Sequence, residues 1–342
     1  MKTILITGGA GFIGSNFVRY LYEKYPKYRL LVLDALTYAG SVRNLPESGF
    51  DSERFQFWYG NVRNGELVDS LVSQSDMVVH FAAETHVTRS IYDNFQFFET
   101  DVIGTQVVAN AVLKYRNRVE LFVHISTSEV YGSATTPLMS EEHPLNPMSP
   151  YAAAKCGADR LVHSYWATYG LPTVIVRPFN NFGPHQHLEK LVPRFITSCL
   201  LGEPLRLHGD GQASRDWMYV GDHCHALDLI LHAPPKKMAG QVLNIGTGVS
   251  YSISDIAKVV KDLMGTPEIP IRFIDPRAGQ VFRHTADTSR IQHLLDWKPK
   301  TSFEEGLQKT IEWYRGNSDW WKPQLWMREI PLTTPAGTRA IH

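Results

Sequence analysis

The 342-residue sequence predicts an α/β fold built on a doubly wound parallel β-sheet. The first observation is a series of short apolar, β-branched runs, most of them separated by segments long enough for a helix: TILIT, LLVLD, FQFWYG, MVVHFAA, ELFVHIST and PTVIVRP. The second is that their hydrophobicity is continuous rather than alternating, which indicates strands covered by helices on both faces. The third is a change of texture after about Pro178, where Pro, Gly and Asn cluster between shorter helical stretches. We expect a smaller α/β lobe there.

This change of texture sets the expected domain boundaries. We expect a first domain over residues 1–178, joined by interleaved later segments near residues 216–246, and a second lobe over residues 179–330. The remaining residues, 331–342, are expected to form a poorly packed tail. With 43% hydrophobic and 11% aromatic residues, the chain has enough apolar side chains for a well-buried core.

The composition argues against several classes of function. Lys plus Arg and Asp plus Glu both number 34, without runs of like charge, so neither nucleic-acid binding nor membrane binding is predicted. The three cysteines, Cys156, Cys199 and Cys224, are too scattered for a disulfide framework or a zinc site, and we predict no metal. The chain opens without a signal-like segment, so we expect a cytoplasmic protein.

A glycine-rich loop follows the first predicted strand. In TILITGGAGFIGSNFVRYLYE, Gly8, Gly11 and Gly14 are spaced by three residues and lead into an amphipathic helix. Glycines at these positions let the backbone approach a pyrophosphate, whose charge then meets the free N–H groups at the helix N-terminus. The loop predicts a dinucleotide site on a Rossmann-type sheet.

Asp34 indicates which dinucleotide binds. It ends the next predicted strand, twenty residues after Gly14, where a carboxylate accepts hydrogen bonds from the adenosine ribose hydroxyls. A carboxylate at this position repels a 2′-phosphate, so we predict NAD rather than NADP. Arg43 is the nearby cation that would oppose this preference.

Tyr151 and Lys155 form a candidate proton-transfer pair. They stand four residues apart in the predicted helix SPYAAAKCGADRLVHSY, so their side chains share one face. A tyrosine phenol titrates at about pH 10, and we expect the adjacent ammonium and a nicotinamide cation to lower its pKa toward neutrality. Lys155 is also placed to hold the nicotinamide ribose. Ser126 and Thr127, at the strand end in HISTSEVYG, are expected to hydrogen-bond a sugar hydroxyl.

Six stretches are informative together: TGGAGFIGSN, HFAAETHVTRSI, ISTSEVYG, SPYAAAK, RPFNNFGP and RDWMYVGDH. They resemble the extended short-chain dehydrogenase/reductase family, in its nucleotide-sugar branch, from residue 1 to about residue 323. Within that branch DALTYAG, NNFGPHQHLEKLVPRFI and DWWKP are most similar to the dTDP-glucose 4,6-dehydratases. The resemblance implies an NAD-dependent lyase of nucleotide-sugar metabolism and deoxysugar biosynthesis.

The resemblance also implies a role for each residue of the site. Tyr151 would take the proton of the sugar 4-hydroxyl, with Thr127 hydrogen-bonded to the same oxygen, while a hydride passes from C4 to NAD. Glu129 would then abstract the acidified C5 proton, water would leave from C6, and the hydride would return to C6. The implied cofactor-binding residues are Gly8, Gly11, Phe12, Ile13, Gly14, Asp34, Asn61, Val62, Ala82, Ala83, Tyr151 and Lys155.

Ser128 departs from the pattern of the dTDP-glucose enzymes. Their Thr-Asp-Glu is Thr127-Ser128-Glu129 in this chain, and the missing Asp is the group that usually protonates the departing 6-hydroxyl. Serine is too weak an acid to do this unaided, so we expect Ser128 to position a water or to pass on a proton from Glu129. The Thr-Ser-Glu form resembles both GDP-mannose 4,6-dehydratases, which eliminate water, and UDP-glucuronate decarboxylases, which lose carbon dioxide.

The second lobe favours dehydration. Its Glu-Lys-Leu tract at residues 189–191 is similar to the dehydratases, whereas decarboxylases usually differ there. Arginine and lysine suit a diphosphate because they form charge-assisted hydrogen bonds to its oxygens. The implied substrate-binding residues are Thr85, Asn180 or Asn181, Lys190, Leu191, Arg215, Asn244 and Arg283.

Alternatives to dehydration stay open from the sequence. A nucleotide-glucuronate decarboxylase or a 4-epimerase is the nearest enzymatic alternative, although an epimerase needs no base at C5 and Glu129 would have no task in it. An NAD-binding regulator is the non-enzymatic alternative, and it would not need Tyr151, Lys155, Thr127 and Glu129 together. The nucleobase and the sugar are left open.

A homodimer is the expected assembly. The family pairs two long helices of each subunit, and the candidates here are NFQFFETDVIGTQVVANAVLKY and the helix that carries Tyr151. Both have an apolar stripe beyond what the sheet should need.

Overall fold

The computed structural model describes residues 1–46, 52–275, 281–328, 331–333 and 339–341. Its centre is a seven-stranded parallel sheet with the strand order β10-β6-β5-β4-β1-β2-β3. The strands along the chain are β1 (Thr3–Thr7), β2 (Arg29–Asp34), β3 (Phe55–Tyr59), β4 (Met77–His80), β5 (Leu121–Ile125), β6 (Thr173–Pro178), β7 (Asn180–Phe182), β8 (Leu205–His208), β9 (Ser214–Tyr219), β10 (Val242–Ile245), β11 (Ser250–Ser252), β12 (Ile271–Ile274), β13 (Arg283–His284), β14 (Pro331–Thr333) and β15 (Arg339–Ile341). The predicted doubly wound α/β fold is confirmed, with all six predicted runs forming strands of this sheet.

Helices cover both faces of the sheet. They are α1 (Phe12–Lys24), α2 (Gly65–Val72), α3 (Val87–Tyr92), α4 (Phe95–Phe97), α5 (Thr105–Lys114), α6 (Pro150–Tyr169), α7 (Leu191–Leu201), α8 (Val220–His232), α9 (Pro235–Met238), α10 (Ile253–Met264), α11 (Ser289–Leu295), α12 (Phe303–Gly316) and α13 (Ser318–Trp321). A π-helix (Phe98–Gly104) and three 3₁₀ helices (Val42–Asn44, Ser128–Tyr131 and Lys322–Arg328) complete the list.

The continuous hydrophobicity of the strands has a direct structural cause. In β1, Ile4 and Ile6 pack in the same buried cluster as Phe17 of α1, while Leu5 packs on the opposite face in a cluster with Val68 of α2. Successive side chains of a strand point to opposite faces, so a strand between two helix layers needs apolar residues at every position. Each such fully buried aliphatic side chain stabilises the fold by about 2 kcal/mol.

Helix α6 has well-defined ends, which fix the position of Tyr151. The Ser149 hydroxyl caps the helix by accepting a hydrogen bond from the backbone N–H of Ala152, and Pro150 occupies the first turn. Gly170 ends the helix in the left-handed conformation, with φ of 66°. Tyr151 therefore lies in the first turn, with Lys155 one turn later on the same face.

The second lobe has its own core and small sheets. Strands β7, β9, β11 and β13 form one sheet, and β8 pairs with β12. Helices α7, α10 and α12 enclose a cluster that includes Phe195, Val260 and Leu307. Between these elements the chain returns to the first sheet through α8 and β10, which pairs with β6. The division into two domains at the predicted boundaries stays a prediction.

The C-terminal segment contains two short paired strands, and its predicted poor packing stays a prediction. Residues 331–333 and 339–341 pair as antiparallel strands β14 and β15, and residues 334–338 and 342 of the predicted tail lie outside the described residues. In the described part of the chain, none of the helices is long and apolar enough to cross a membrane.

Candidate active site

A cavity of about 530 Å³ opens where the carboxyl ends of the parallel strands face the second lobe. This is the place where open α/β sheets bind ligands, and the volume is within the usual range for small-molecule sites. Nearly all the predicted site residues line it: Gly8, Gly11, Phe12, Ile13, Gly14, Asp34, Asn61, Val62, Ala82, Ala83, Thr85, Thr127, Ser128, Glu129, Tyr151, Lys155, Asn180, Asn181, Lys190, Leu191 and Arg215. The fold thus brings them to one site, and their individual roles stay predictions.

Each of the three glycines of the loop is required for a different structural reason. Gly8 has φ of 67°, and a Cβ there would lie 2.5 Å from the backbone nitrogen of Ala82. A Cβ on Gly14 would lie 2.3 Å from the Gly8 carbonyl oxygen, so the loop and α1 can approach only without it. At Gly11 the nearest atom within 4 Å is the Gly8 carbonyl oxygen, at 3.3 Å. Gly11 therefore keeps open the space before the N-terminus of α1, where a pyrophosphate fits.

Asp34 is held in place by backbone N–H groups. Its Oδ2 accepts from Ala10 at 2.9 Å, and its Oδ1 accepts from Leu36 at 2.8 Å. Burial raises the pKa of this carboxyl, and the hydrogen bonds from the backbone oppose that shift. Arg43 instead pairs with Asp319 at 3.2 Å and does not line the cavity. Arg43, the cation that was expected to oppose the preference for NAD, is therefore engaged by Asp319 rather than by Asp34.

Lys155 is buried and directed to the end of the neighbouring strand. Its Nζ donates to the carbonyl oxygen of Ile125 at 2.7 Å. Burial lowers the pKa of Lys155, and the carboxylates of Asp101 and Asp159 oppose this effect. Burial also raises the pKa of Asp101 to about 7. An ammonium held in this way lies at the cavity wall with donors left for a ribose hydroxyl.

The environment of Tyr151 differs from the expectation. Burial and the nearby carboxylates of Asp101 and Glu129 raise the pKa of the phenol, while a hydrogen bond from Thr127 lowers it only in part. The ammonium of Lys155, which was expected to lower the pKa of the phenol, donates to the Ile125 carbonyl oxygen. Two cations, the Lys155 ammonium and the nicotinamide, were expected to stabilise the phenolate. We assign this role to the nicotinamide.

A 3₁₀ helix over Ser128–Tyr131 presents the next residues of the site. Thr127 caps it by accepting a hydrogen bond from the Glu129 backbone N–H at 3.2 Å. Ser126, just before it, lines the cavity with a buried hydroxyl that has no hydrogen-bond partner among the described residues. Buried polar groups are normally paired, so this hydroxyl fits a ligand in the cavity.

Cationic side chains line the part of the cavity that faces the second lobe. The predicted Lys190 and Arg215 are joined there by Arg194 of α7 and Arg206 of β8, which the sequence analysis did not identify. Lys190 and Arg194 are four residues apart, a spacing that places two side chains near each other on a helix. This spacing is the sequence signal that could have predicted Arg194. Several cations at one wall suit a diphosphate.

Asn180 and Asn181 were both candidates for a substrate contact, and they differ in their hydrogen bonds. The Asn181 amide donates to the Phe179 carbonyl at 2.9 Å, and its oxygen lies 3.1 Å from His223 Nδ1. Asn180 lines the cavity and makes no side-chain hydrogen bond to other described residues. Asn180 is therefore the better candidate for a substrate contact.

Two predicted substrate contacts lie outside the cavity. Asn244 is fully buried: it accepts from the Tyr131 hydroxyl at 2.6 Å and donates to the Met139 carbonyl at 2.8 Å. Arg283 donates to the Thr136 carbonyl at 3.0 Å. Neither residue is among those that line the cavity, and a direct substrate contact for either one stays a prediction. Their hydrogen bonds hold the segment around residues 136–139.

Glu189, from the Glu-Lys-Leu tract, was not predicted as a site residue, but the structure places it at the cavity. Its buried carboxylate accepts from the Tyr38 hydroxyl at 3.0 Å and lies 3.1 Å from Lys190 Nζ and 3.2 Å from His86 Nε2. Burial raises the pKa of Glu189, but the charges of Lys190, His86 and His187 outweigh it and lower the pKa to about 2. Since Lys190 also donates to the Thr85 carbonyl at 3.1 Å, this ion pair fixes the cation at the cavity wall.

The chain is similar to known proteins over most of its length. The family described as GDP-mannose 4,6 dehydratase matches residues 5–310. The chain belongs to this family. Among curated relatives, the low-salt glycan biosynthesis protein Agl12 of Haloferax volcanii is 45% identical, covering 92% of this chain and 99% of Agl12. A dTDP-glucose 4,6-dehydratase of Actinoplanes sp. is 41% identical, with 93% and 99% coverage.

A solved structure in this family shows the same architecture. DesIV, a dTDP-glucose 4,6-dehydratase from Streptomyces venezuelae with NAD bound, superposes with a TM-score of 0.88 at 41% sequence identity. The match covers 94% of this chain and 99% of DesIV. The predicted resemblance to the dTDP-glucose 4,6-dehydratases is therefore confirmed.

Proposed function

We propose that this protein is an NAD-dependent nucleotide-sugar 4,6-dehydratase, a hydro-lyase of deoxysugar biosynthesis, and that its sugar substrate is dTDP-glucose. The observation that carries the proposal is the position of Glu129, which lines the same cavity as Tyr151, Thr127 and Lys155. A carboxylate base beside an alcohol-oxidising site serves a reaction with a second proton abstraction. The relatives named dTDP-glucose 4,6-dehydratase support the dTDP-linked substrate.

The cofactor is NAD, and the residues present fit it. Gly11 leaves room for the pyrophosphate, Asp34 accepts from ribose hydroxyls, and Lys155 reaches the nicotinamide ribose. When bound, NAD accepts a hydride from the sugar and returns it later in the same turnover. NAD in the DesIV structure agrees with the predicted cofactor.

Oxidation at C4 is assigned to Tyr151. Its phenolate takes the proton of the 4-hydroxyl, and Thr127, which donates a hydrogen bond to the phenol oxygen, orients it. The resulting ketone acidifies the hydrogen at C5. Glu129 then takes that proton, and the 6-hydroxyl leaves as water from the side of the site where Ser128 lies.

Decarboxylation is the second candidate because Ser128 stands where the dTDP-glucose enzymes have Asp. The test offers nucleotide-linked glucose, mannose, N-acetylglucosamine and glucuronate to the protein and measures loss of water or carbon dioxide by mass spectrometry. We expect water loss from dTDP-glucose and no loss of carbon dioxide from the glucuronate.

The Ser128→Asp variant sharpens this comparison. For a 6-hydroxy sugar the added carboxyl should preserve or raise water loss, whereas beside a uronate carboxylate it would repel the substrate. Turnover of the glucuronate alone, abolished in Ser128→Asp, would exclude the dehydratase assignment.

NAD is expected to stay bound through purification, because each turnover regenerates it without a second substrate. Denaturing the purified protein should release NAD in near-stoichiometric amount, as measured by chromatography and mass spectrometry. Recovery of NADP, or preferential activation by NADP, would contradict the role assigned to Asp34.

We infer that the protein is a homodimer and that the surface formed by Phe95, Phe98, Ile103, Gly157 and Leu161 is its interface. Phe95 is 67% exposed, Phe98 43% and Ile103 48%, although all three are large and apolar. Gly157 of α6 is exposed next to the π-helix, since a Cβ there would contact Val102 at 3.4 Å, and the partly buried Leu161 lies one turn later on the same face of α6. A second copy of the same surface would bury these side chains.

Light scattering should give the mass of a dimer at micromolar concentration. The variant Ile103→Glu should shift the protein toward monomer, because it would bury a carboxylate between two copies. Val249→Glu is the matched control, since Val249 is also an exposed apolar residue, at 52%, but lies away from the interface in a loop. A wild-type protein that is monomeric would contradict the inference.

The cytoplasm is the proposed location. The described cysteines are unpaired, and two of the three, Cys199 and Cys224, are buried thiols. Free thiols persist in a reducing compartment. Fractionation of cells with an antibody to the protein would test this location.

A further inference from the structure

His284 lies directly behind the residue that departs from the family pattern. Its Nδ1 is 3.4 Å from the Ser128 hydroxyl and 3.9 Å from a carboxylate oxygen of Glu129. The imidazole is completely buried, on β13, and does not line the cavity. It is therefore in contact with both residues of the elimination step without contacting the substrate.

The hydrogen bonds of His284 determine which nitrogen carries the proton. Its Nε2 lies 2.6 Å from the carbonyl oxygen of Gly132, which can only accept, so Nε2 is the protonated nitrogen. The lone pair of the neutral ring is then on Nδ1. Nδ1 can thus accept a proton, and it faces Ser128 and Glu129.

We propose that His284 transfers the proton of Glu129 to Ser128, so that the Ser128 hydroxyl can protonate the departing 6-hydroxyl of the sugar. This inference rests on the proposed dehydratase function. The proton that His284 delivers allows Ser128 to act as the acid, although a serine hydroxyl is too weak an acid by itself. His284 acts through Ser128 and Glu129 and is a positioning and proton-transfer residue rather than one that touches the sugar.

The step balances in protons and electrons. Glu129 takes the C5 proton and passes it to Nδ1 of His284, which becomes an imidazolium. As the C6–O bond breaks, its electron pair leaves with oxygen and the C5 carbanion pair forms the C5–C6 double bond. The oxygen takes the Ser128 hydroxyl proton and leaves as water, and His284 returns its Nδ1 proton to Ser128. Glu129, His284 and Ser128 are then restored, and C5 later regains a proton from solvent.

The groups around His284 suit a brief protonation. Burial lowers the pKa of His284, so the ring is neutral at rest and readily gives up a proton it receives. The carboxylate of Glu129 favours the charged ring, whereas the cationic Arg215 and the imidazole of His143 disfavour it. The Gly132 carbonyl favours it by accepting from Nε2. The imidazolium of His284 is thus stabilised by Glu129 while it forms, but the resting ring is neutral.

The test uses two substitutions that separate proton transfer from structure. His284→Gln can keep a donor to the Gly132 carbonyl, and His284→Asn can keep a polar group near Ser128, but neither amide transfers a proton. With dTDP-glucose, both variants should form reduced nicotinamide at the wild-type rate and accumulate its near-ultraviolet absorbance. Water loss should fall about 100-fold, the lower end for general acid–base groups.

Rescue by a carboxylic acid completes the test. In the His284→Gln background, Ser128→Asp should restore water loss to within about tenfold of Ser128→Asp alone, since Asp has its own acidic proton. The proposal is wrong if His284→Gln keeps the wild-type rate of water loss, if C4 oxidation falls equally, or if an active Ser128→Asp fails to rescue. A wild-type protein that eliminates water from none of the nucleotide sugars would instead overturn the proposed function, and this inference with it.

Discussion

Glu129→Gln is expected to stop elimination while leaving C4 oxidation largely intact. Only the step at C5 needs a carboxylate base, and an amide of the same shape cannot take a proton at neutral pH. Water loss should fall by about 10³, within the usual range for removal of a general base. Rapid-mixing absorbance should show reduced nicotinamide forming at the wild-type rate and then persisting with the sugar bound.

The same substitution at Glu142 provides the control. Glu142 is highly exposed, pairs with Arg290 at 2.6 Å and does not line the cavity. Its loss removes a surface ion pair, which contributes at most about 1 kcal/mol to stability. The Glu142→Gln variant should therefore eliminate water from the substrate at the wild-type rate. Normal turnover in Glu129→Gln would make Glu129 structural and remove the main support for a dehydratase.

The parts of the site that lie within one continuous motif could be predicted from the sequence. The Gly loop precedes its helix directly, and Tyr151 and Lys155 lie one turn apart on the same face of α6, so local spacing is enough to place them. The six strands were recognisable because burial on both faces requires unbroken hydrophobicity. The seventh, β10, has only four residues in a region of mixed texture, and it was expected only as part of an interleaved segment.

What could not be predicted depends on contacts between distant parts of the chain. Ser128 and His284 are 156 residues apart and meet only because β13 pairs with β9 beside the 3₁₀ helix. The sequence also does not show that Asn244 bonds to Tyr131 and Met139, which lie more than a hundred residues earlier in the chain. The raised pKa of Tyr151 has the same origin, because burial by the surrounding elements raises it most and Asp101, from the π-helix fifty residues earlier, adds to this effect.

Tyr151→Phe is expected to abolish the first step, and with it all later ones. Burial and two carboxylates raise the pKa of the Tyr151 phenol, so its phenolate is scarce at neutral pH unless the bound nicotinamide stabilises it. A group with a raised pKa becomes deprotonated as pH rises, so wild-type C4 oxidation should speed up with pH across the neutral range. In Tyr151→Phe the rate of nicotinamide reduction should fall by about 10³ and lose this pH dependence.

Tyr165→Phe is the matched control in the same helix. The Tyr165 hydroxyl donates to the Asn110 side chain at 2.5 Å and lies away from the cavity. Its loss should cost about 1 kcal/mol of unfolding free energy, seen as a lower denaturation midpoint, with C4 oxidation unchanged. A Tyr151→Phe variant that still reduces nicotinamide quickly would show that another group takes the 4-hydroxyl proton. Retention of the pH slope in that variant would point to a different titrating group, and Asp101, whose pKa burial raises to about 7, would then be the one to substitute next.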